Sequence, residues 1–203
     1  MATAPIHAEP VDARLLAIAA EQLRRGGARS VTVVGVAEAA GMTHANVYRY
    51  FPSRAALIDA VVARWLRSLE ATLSAIADAP DPADDKLERL VVAVAQGHRD
   101  LLAKDRHLYD VYADAADSAR AVIRKHRARL RQLVERVVDE GIATGLFDPR
   151  DRERALAFVT DGSYRFINPI AVRLDADMPP DLFDARLAGA IHVIKRVLIA
   201  GVL

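Results

Sequence analysis

The chain of 203 residues contains no cysteine. Disulfide bonds, thiolate metal sites and thiol-based redox sensing are therefore excluded. The sequence also has no apolar run long enough to span a bilayer, and its first ten residues, MATAPIHAEP, lack the basic and then apolar layout of a secretory signal. We therefore expect a cytoplasmic protein that does not interact with a membrane.

A strong charge of either sign is missing too. The formal net charge is +1 at pH 7, so composition alone gives no argument for a nucleic-acid partner. Arginine outnumbers lysine by 24 to 4 along the whole chain, which is typical of a compositional bias. The position of an arginine, rather than its presence, must therefore decide whether it contacts a phosphate.

What the sequence does contain is helical periodicity. The chain is 52% hydrophobic, and its apolar residues follow a helical spacing nearly everywhere, whereas the alternation typical of strands does not persist. This pattern predicts an all-α protein of about nine helices. The predicted helices are interrupted at Gly26-Gly27, Gly41, Pro52, the segment APDPAD and Asn168-Pro169.

Two short helices of about two turns each flank Gly41. Thr32 is a good N-cap for the first helix and Thr43 for the second, and Pro52 ends the second because the residue before a proline disfavours helix. Two such helices joined at a glycine turn predict a helix-turn-helix. We expect its buried side to consist of Val33, Val36, Ala37, Ala40, Met42, Val47 and Phe51.

The other side chains of the second short helix suit a DNA surface. Asn46 can offer a paired donor and acceptor to adenine, and His44 can donate to a purine N7. The hydroxyls of Tyr48 and Tyr50 suit phosphate oxygens. The alternative is that both tyrosines pack half-buried at a helix junction, which is what we expect of Phe51. The predicted DNA-contacting residues are Thr32, Thr43, His44, Ala45, Asn46, Tyr48, Arg49, Tyr50 and Arg54.

A long combined pattern runs through this segment. It comprises Thr32-Val33, Val36-Ala37, Ala40-Gly41-Met42-Thr43, Val47-Tyr48-Arg49-Tyr50-Phe51, Ser53-Arg54 and Leu57. The pattern resembles the N-terminal signature of the TetR family of transcriptional regulators over about residues 11 to 60. The resemblance implies a helix-turn-helix domain over residues 1–54 and a helical ligand-binding and dimerisation domain over residues 55–203. It also implies a homodimer that binds a near-palindromic operator in double-stranded DNA.

Two histidines in the second part, His98 and His126, lie on apolar helix faces. Such a histidine is either a hydrogen-bonded core residue or a polar feature of an apolar pocket. We expect a small hydrophobic or amphipathic effector, and neither a cofactor nor a metal, because no motif-spaced ligand set is present. Asp161 and Arg165 are also spaced for an ordinary ion pair, which we expect first. The candidate ligand-binding residues are His98, Tyr109, Tyr112, His126, Phe158, Asp161, Tyr164 and Arg165.

Small residues on the last two long helices permit close helix packing. One stripe contains Phe158, Gly162 and Phe166, and the other contains Gly189, Val193, Arg196 and Ala200. Both stripes predict a dimer seam; the alternative is an intramolecular core. The helix from Ser53 to about Ala77 joins the two parts, so we expect its Trp65 to help transmit ligand binding to the DNA-binding helices. The basic run from Arg120 to Arg131 is most simply solvated surface.

Two other classes of protein compete with this interpretation. An enzyme is disfavoured because the sequence lacks a nucleophile elbow, a phosphate-binding glycine loop, an HExxH motif and a calcium loop. A helical small-molecule-binding protein or adaptor that does not contact DNA leaves the segment THANVYRYF unexplained. We therefore predict a ligand-responsive transcriptional repressor that is not an enzyme.

Overall fold

A computed structural model describes residues 10–202, which form ten helices and no strand. The prediction of an all-α protein is confirmed. In chain order the helices are α1 (Val11–Ser30), α2 (Val33–Ala40), α3 (His44–Tyr50), α4 (Arg54–Ala77), α5 (Ala83–Lys104), α6 (Arg106–Asp117), α7 (Ala121–Ala143), α8 (Arg152–Ile167), α9 (Pro169–Leu174) and α10 (Pro180–Ala200).

Side-chain caps begin the three helices α2, α3 and α4. The hydroxyl oxygens of Thr32, Thr43 and Ser53 each accept a hydrogen bond from the backbone N–H three residues on, at 3.0, 3.4 and 3.0 Å. Gly41 ends α2 with φ +65°, a left-handed conformation that glycine adopts without strain. The predicted caps and the predicted glycine turn are therefore confirmed, and they fix the angle between α2 and α3.

One helix was not predicted. The expected break after α8 is present, but the chain restarts at once as the short helix α9. The Asn168 carboxamide oxygen accepts hydrogen bonds from the N–H groups of Ile170 and Ala171, at 2.9 and 3.2 Å. Pro169 occupies the first helical position, where its missing N–H costs no hydrogen bond. The same Asn-Pro pair that ends one helix thus begins another.

Buried apolar side chains form three clusters. The first joins α1, α2 and α3 to the start of α4, the end of α5 and α6, with single contributions from α7 and α9. The second fills the space between the end of α4 and helices α5, α7, α8 and α10, and the third lies between α5, α8 and α10. The proposed boundary between residues 54 and 55 therefore falls inside a continuously packed region. No helix within residues 10–202 is long and apolar enough to cross a membrane.

The predicted dimer stripe on α8 packs inside the protomer. The Phe166 ring meets the Phe183 ring edge-on, with centroids 5.4 Å apart. A Cβ added at Gly162 would lie 3.1 Å from side-chain carbons of Ile194, so this glycine permits close packing of α8 on α10 of the same chain. Phe158 is partly buried in the second cluster. For this stripe the intramolecular alternative is correct.

The stripe on α10 is exposed instead. The side chain of Val193 is 52% exposed, and a Cβ added at Gly189 would meet nothing within 4 Å. The buried face of α10, through Leu187, Ile191 and Ile194, is directed into the protomer. Within residues 10–202, the opposite face of α10 is therefore exposed, and it carries small and apolar residues together with Arg196.

Candidate functional site

Helix α3 has one buried face and one exposed face. Val47 is fully buried and Phe51 is 8% exposed, so both pack in the first cluster as predicted. Tyr48 and Tyr50 are 51% and 46% exposed. The packing alternative is thus correct for Phe51, whereas the two tyrosines present about half of their surface to solvent.

The exposed side of the helix-turn-helix contains all nine predicted DNA-contacting residues. Their side chains combine hydroxyl, amide, imidazole and guanidinium groups and include no carboxylate. The nearest acid in the sequence is Glu38, on the last turn of α2. The exposed residues are Thr32, Thr43, His44, Ala45, Asn46, Tyr48, Arg49, Tyr50 and Arg54.

Two arginines brace this surface from within the chain. Arg54 donates from Nε to the carbonyl oxygen of Val31 at 2.7 Å, and its Nη2 also donates to the Ala28 carbonyl. Arg14 on α1 donates from Nη2 to the Ala40 carbonyl, at the end of α2, at 2.6 Å. Arg54 therefore holds the turn that leads into α2, a structural task that does not require a phosphate contact. The contribution of Arg14 to this surface was not predicted, because its partner is a backbone carbonyl 26 residues away.

A buried aromatic cluster lies behind the helix-turn-helix, and it contains three of the candidate ligand-binding residues. Tyr109, His98 and Tyr112 are at most 2% exposed. His98 Nε2 lies 3.1 Å from the Tyr112 hydroxyl, and the Tyr109 hydroxyl donates to the Pro169 carbonyl at 3.0 Å. Trp65 on α4 covers the cluster, with its ring centroid 5.0 Å from that of Tyr112. Trp65 was predicted to transmit ligand binding, but its place in this cluster was not predicted.

His98 is incompletely hydrogen-bonded. Its Nδ1 atom is buried and has no hydrogen-bond partner in the part of the chain that the structure describes, residues 10–202. Burial lowers the pKa of His98 to about 3, with a smaller contribution from nearby His126, so the ring is neutral at pH 7. A neutral imidazole has one donor and one acceptor, and only one of its nitrogens is satisfied here, by Tyr112. An unsatisfied buried polar atom typically costs about 1–3 kcal/mol. This cost makes the cluster a candidate ligand site.

His126 belongs to a separate polar group between α4 and α7. Its Nδ1 atom lies 2.9 Å from Glu70 Oε1, and Arg129 Nη1 lies 3.3 Å from Glu70 Oε2. Burial lowers the pKa of His126, while its hydrogen bond to Glu70 opposes that shift. Within residues 10–202, no set of three His, Asp or Glu side chains is arranged to hold a metal ion.

The remaining candidates, all on α8, are not brought to the cluster. Asp161, Tyr164 and Arg165 are exposed, and Phe158 packs in the second core cluster. The expected ion pair between Asp161 and Arg165 is wrong, because Arg165 Nη2 lies 2.7 Å from Asp175 Oδ1 instead. The spacing favoured an i,i+4 pair, but the α9–α10 connection brings a carboxylate closer.

Comparison of the sequence with protein families gives two matches. Residues 15–61 match the family described as bacterial regulatory proteins, tetR family. Residues 83–181 match the family described as tetracyclin repressor-like, C-terminal domain. Together the two matches span more than half of the chain. No curated protein sequence matches it.

Solved structures share the fold over nearly the whole chain. A protein of unknown function from Rhodococcus sp. RHA1 has a TM-score of 0.69 at 23% identity, over 97% of this chain and 100% of that one. The transcriptional regulator FadR from Bacillus subtilis, in complex with stearoyl-CoA, has a TM-score of 0.64 at 17% identity, over 94% and 99%. RolR in complex with resorcinol has a TM-score of 0.60 at 19% identity, over 92% of each chain. With both family matches and a braced, exposed recognition helix, the chain belongs to the TetR family of DNA-binding transcriptional regulators.

Proposed function

We propose that this protein is a homodimeric repressor that binds a near-palindromic operator and is released from it by a small effector. The observation that carries the proposal is the two-sided character of α3. Val47 anchors the helix in the core, while the polar residues around it on α3 are exposed and include no carboxylate. A helix mounted in this way can enter a major groove without losing its packing.

The exposed residues divide by the chemistry they offer. Ala45 and Asn46, in the first turn of α3, are positioned to touch base edges, since the N-terminal end of a recognition helix enters the groove. Tyr48, Tyr50 and Arg49 lie further along the helix and suit phosphate oxygens. We therefore propose that Asn46 contributes to sequence preference, whereas the tyrosines and Arg49 contribute mainly to affinity.

Fluorescence anisotropy with labelled DNA from the protein's own promoter region tests this assignment. We expect Asn46→Ala to weaken operator binding by about 1–3 kcal/mol and to reduce the preference for operator over scrambled DNA. Arg49→Ala should weaken binding to both DNAs and make it less sensitive to salt. Arg131→Ala removes the same charge from the exposed face of α7 and serves as the matched control. Wild-type affinity in both α3 variants would exclude this surface as the DNA contact.

Two-fold symmetry requires a self-complementary surface, and we propose that α10 provides it together with α8. Val193 and Tyr164 are 52% and 53% exposed, and Ile199 is 45% exposed. These large side chains lie on exposed faces of α8 and α10, and α10 also has open surface at Gly189. Exposed apolar side chains on α8 and α10, the last two long helices, suit a helical dimer seam.

We propose that the effector enters the region of the aromatic cluster. Two structural relatives are complexes with small molecules, stearoyl-CoA and resorcinol. In this chain the Nδ1 atom of His98 has no hydrogen-bond partner within residues 10–202. A ligand that hydrogen-bonds to this atom would remove the free-energy cost of leaving it unpaired, which supports the aromatic cluster as the location. A ligand releases DNA only if it binds the DNA-incompetent conformer more tightly. A thermal-shift screen of small molecules against wild type and His98→Leu tests this location. Compounds that bind at the cluster should stabilise the variant much less than wild type.

A further inference from the structure

An open cleft lies between α4 and α7, beside the aromatic cluster. Its volume is about 160 Å³, enough for roughly five water molecules. Its floor is apolar and consists of Ala63, Leu66 and Val122, and the His126 ring forms part of its wall. Trp65 of the aromatic cluster is adjacent to Leu66 in the sequence. The cleft therefore lies along the part of α4 that also carries Trp65.

The rim of the cleft is positively charged. Arg67, Lys125 and Arg129 line it, against one carboxylate, that of Glu70. Glu70 is already engaged by His126 and Arg129, at 2.9 and 3.3 Å. Within residues 10–202, neither Arg67 nor Lys125 has a carboxylate within salt-bridge distance. The side chains of Arg67 and Lys125 are therefore available at the opening of the cleft to pair with an anion.

We propose that this cleft binds a small organic acid, with its carboxylate held by Arg67 and Lys125 and its short apolar body against Leu66 and Val122. The inference rests on the proposed function for the role of the acid as effector, but the binding site itself does not depend on it. Charge complementarity selects an anion over a neutral molecule of the same shape. The apolar floor of three side chains suits a short chain or a single ring.

The position of the cleft gives the bound acid a route to the DNA-binding helices. One wall of the cleft is α4, which begins at Arg54 beside the recognition helix. The other wall is α7, whose N-cap residue Arg120 forms a salt bridge to α4, with Nη2 2.5 Å from Asp59 Oδ1. A ligand that changes the spacing of α4 and α7 at Leu66 acts on the same helix that carries the helix-turn-helix.

Isothermal titration with hexanoate and hexanamide tests the proposal, since the two differ in charge and hardly in shape. We expect hexanoate to bind at least about tenfold more tightly than hexanamide, because hydrogen bonds to a charged group exceed neutral ones. Arg67→Gln and Lys125→Gln should each abolish most of this difference. Arg131→Gln, on the same helix but outside the cleft, should leave it unchanged. All three residues are exposed, and circular dichroism melts would verify that the variants fold.

Three results would overturn the proposal: no measurable hexanoate binding, equal affinity for the acid and the amide, or undiminished hexanoate binding in the double variant of Arg67 and Lys125. Operator binding by the same preparations separates this proposal from the proposed function. Hexanoate binding without operator binding refutes the repressor and leaves the acid site standing. Operator binding without hexanoate binding refutes the acid site alone.

Discussion

Acidification should destabilise this protein through His98. The folded state holds the ring neutral because burial lowers its pKa from an ordinary value of 6.5 to about 3. Between these two values the unfolded chain binds a proton at this position and the folded chain does not. The stability that His98 contributes is therefore fully present above about pH 6.5 and is lost as the pH falls towards 3.

The size of the effect follows from the same shift. At about pH 5 the unfolded histidine is mostly protonated, and the free energy of unfolding falls by about 2 kcal/mol relative to about pH 7. His98→Leu removes this titration and leaves the other titrating groups in place. Urea unfolding at fixed protomer concentration should therefore show that wild type loses about 2 kcal/mol more than the variant on going from about pH 7 to about pH 5. Equal losses in the two proteins would refute the assignment of a neutral, buried His98.

Three further predictions concern packing and assembly. Tyr112→Phe should lower the free energy of unfolding by about 1–3 kcal/mol in the same urea assay, because it leaves both nitrogens of His98 unpaired; no loss would contradict the hydrogen bond. Gly141→Ala should cost about 1–3 kcal/mol, since the new Cβ would lie 2.1 Å from the buried Phe147 ring; a thermal melt like that of wild type would show that the ring can move aside. Val193→Arg should convert dimer to monomer in light scattering, and an unchanged mass would place the seam elsewhere.

The sequence predicted best what is encoded locally. Caps at Thr32, Thr43 and Ser53 and the turn at Gly41 depend on residues within one helical turn of each other, so their positions could be inferred directly. The two faces of α3 followed from its periodicity in the same way. The helix after Asn168 was missed because a cap and a helix end use the same residue types.

Contacts between distant segments could not be inferred in this way. Arg165 has acids at positions 161 and 175 within reach, and only the path of the chain after α9 selects Asp175. The stripe through Gly162 has the same composition whether it meets Ile194 of its own chain or a second protomer. For the candidate ligand residues, periodicity placed His98 and His126 on apolar faces but could not tell which aromatic rings would surround either one.

Trp65 belongs to the aromatic cluster and lies on α4, the helix that begins beside the recognition helix. It packs against both the first and the second core clusters, and its ring centroid lies 6.0 Å from that of His98. A change of the Trp65 rotamer would therefore alter the packing of both clusters. Because coupling between two ligands is reciprocal, any factor by which hexanoate lowers operator affinity is also the factor by which operator lowers hexanoate affinity.

Trp65→Phe tests this connection more gently than alanine, since it keeps an aromatic ring and avoids the loss of about 3–5 kcal/mol expected when a buried Trp becomes Ala. We expect hexanoate affinity in the absence of DNA to change little, because Trp65 does not line the cleft. The ratio of operator affinities without and with saturating hexanoate should instead fall from the typical allosteric range of about 5–150-fold towards one. A preserved ratio would mean that the signal bypasses Trp65, and the Arg120–Asp59 tie between α7 and α4 would then be the contact to test.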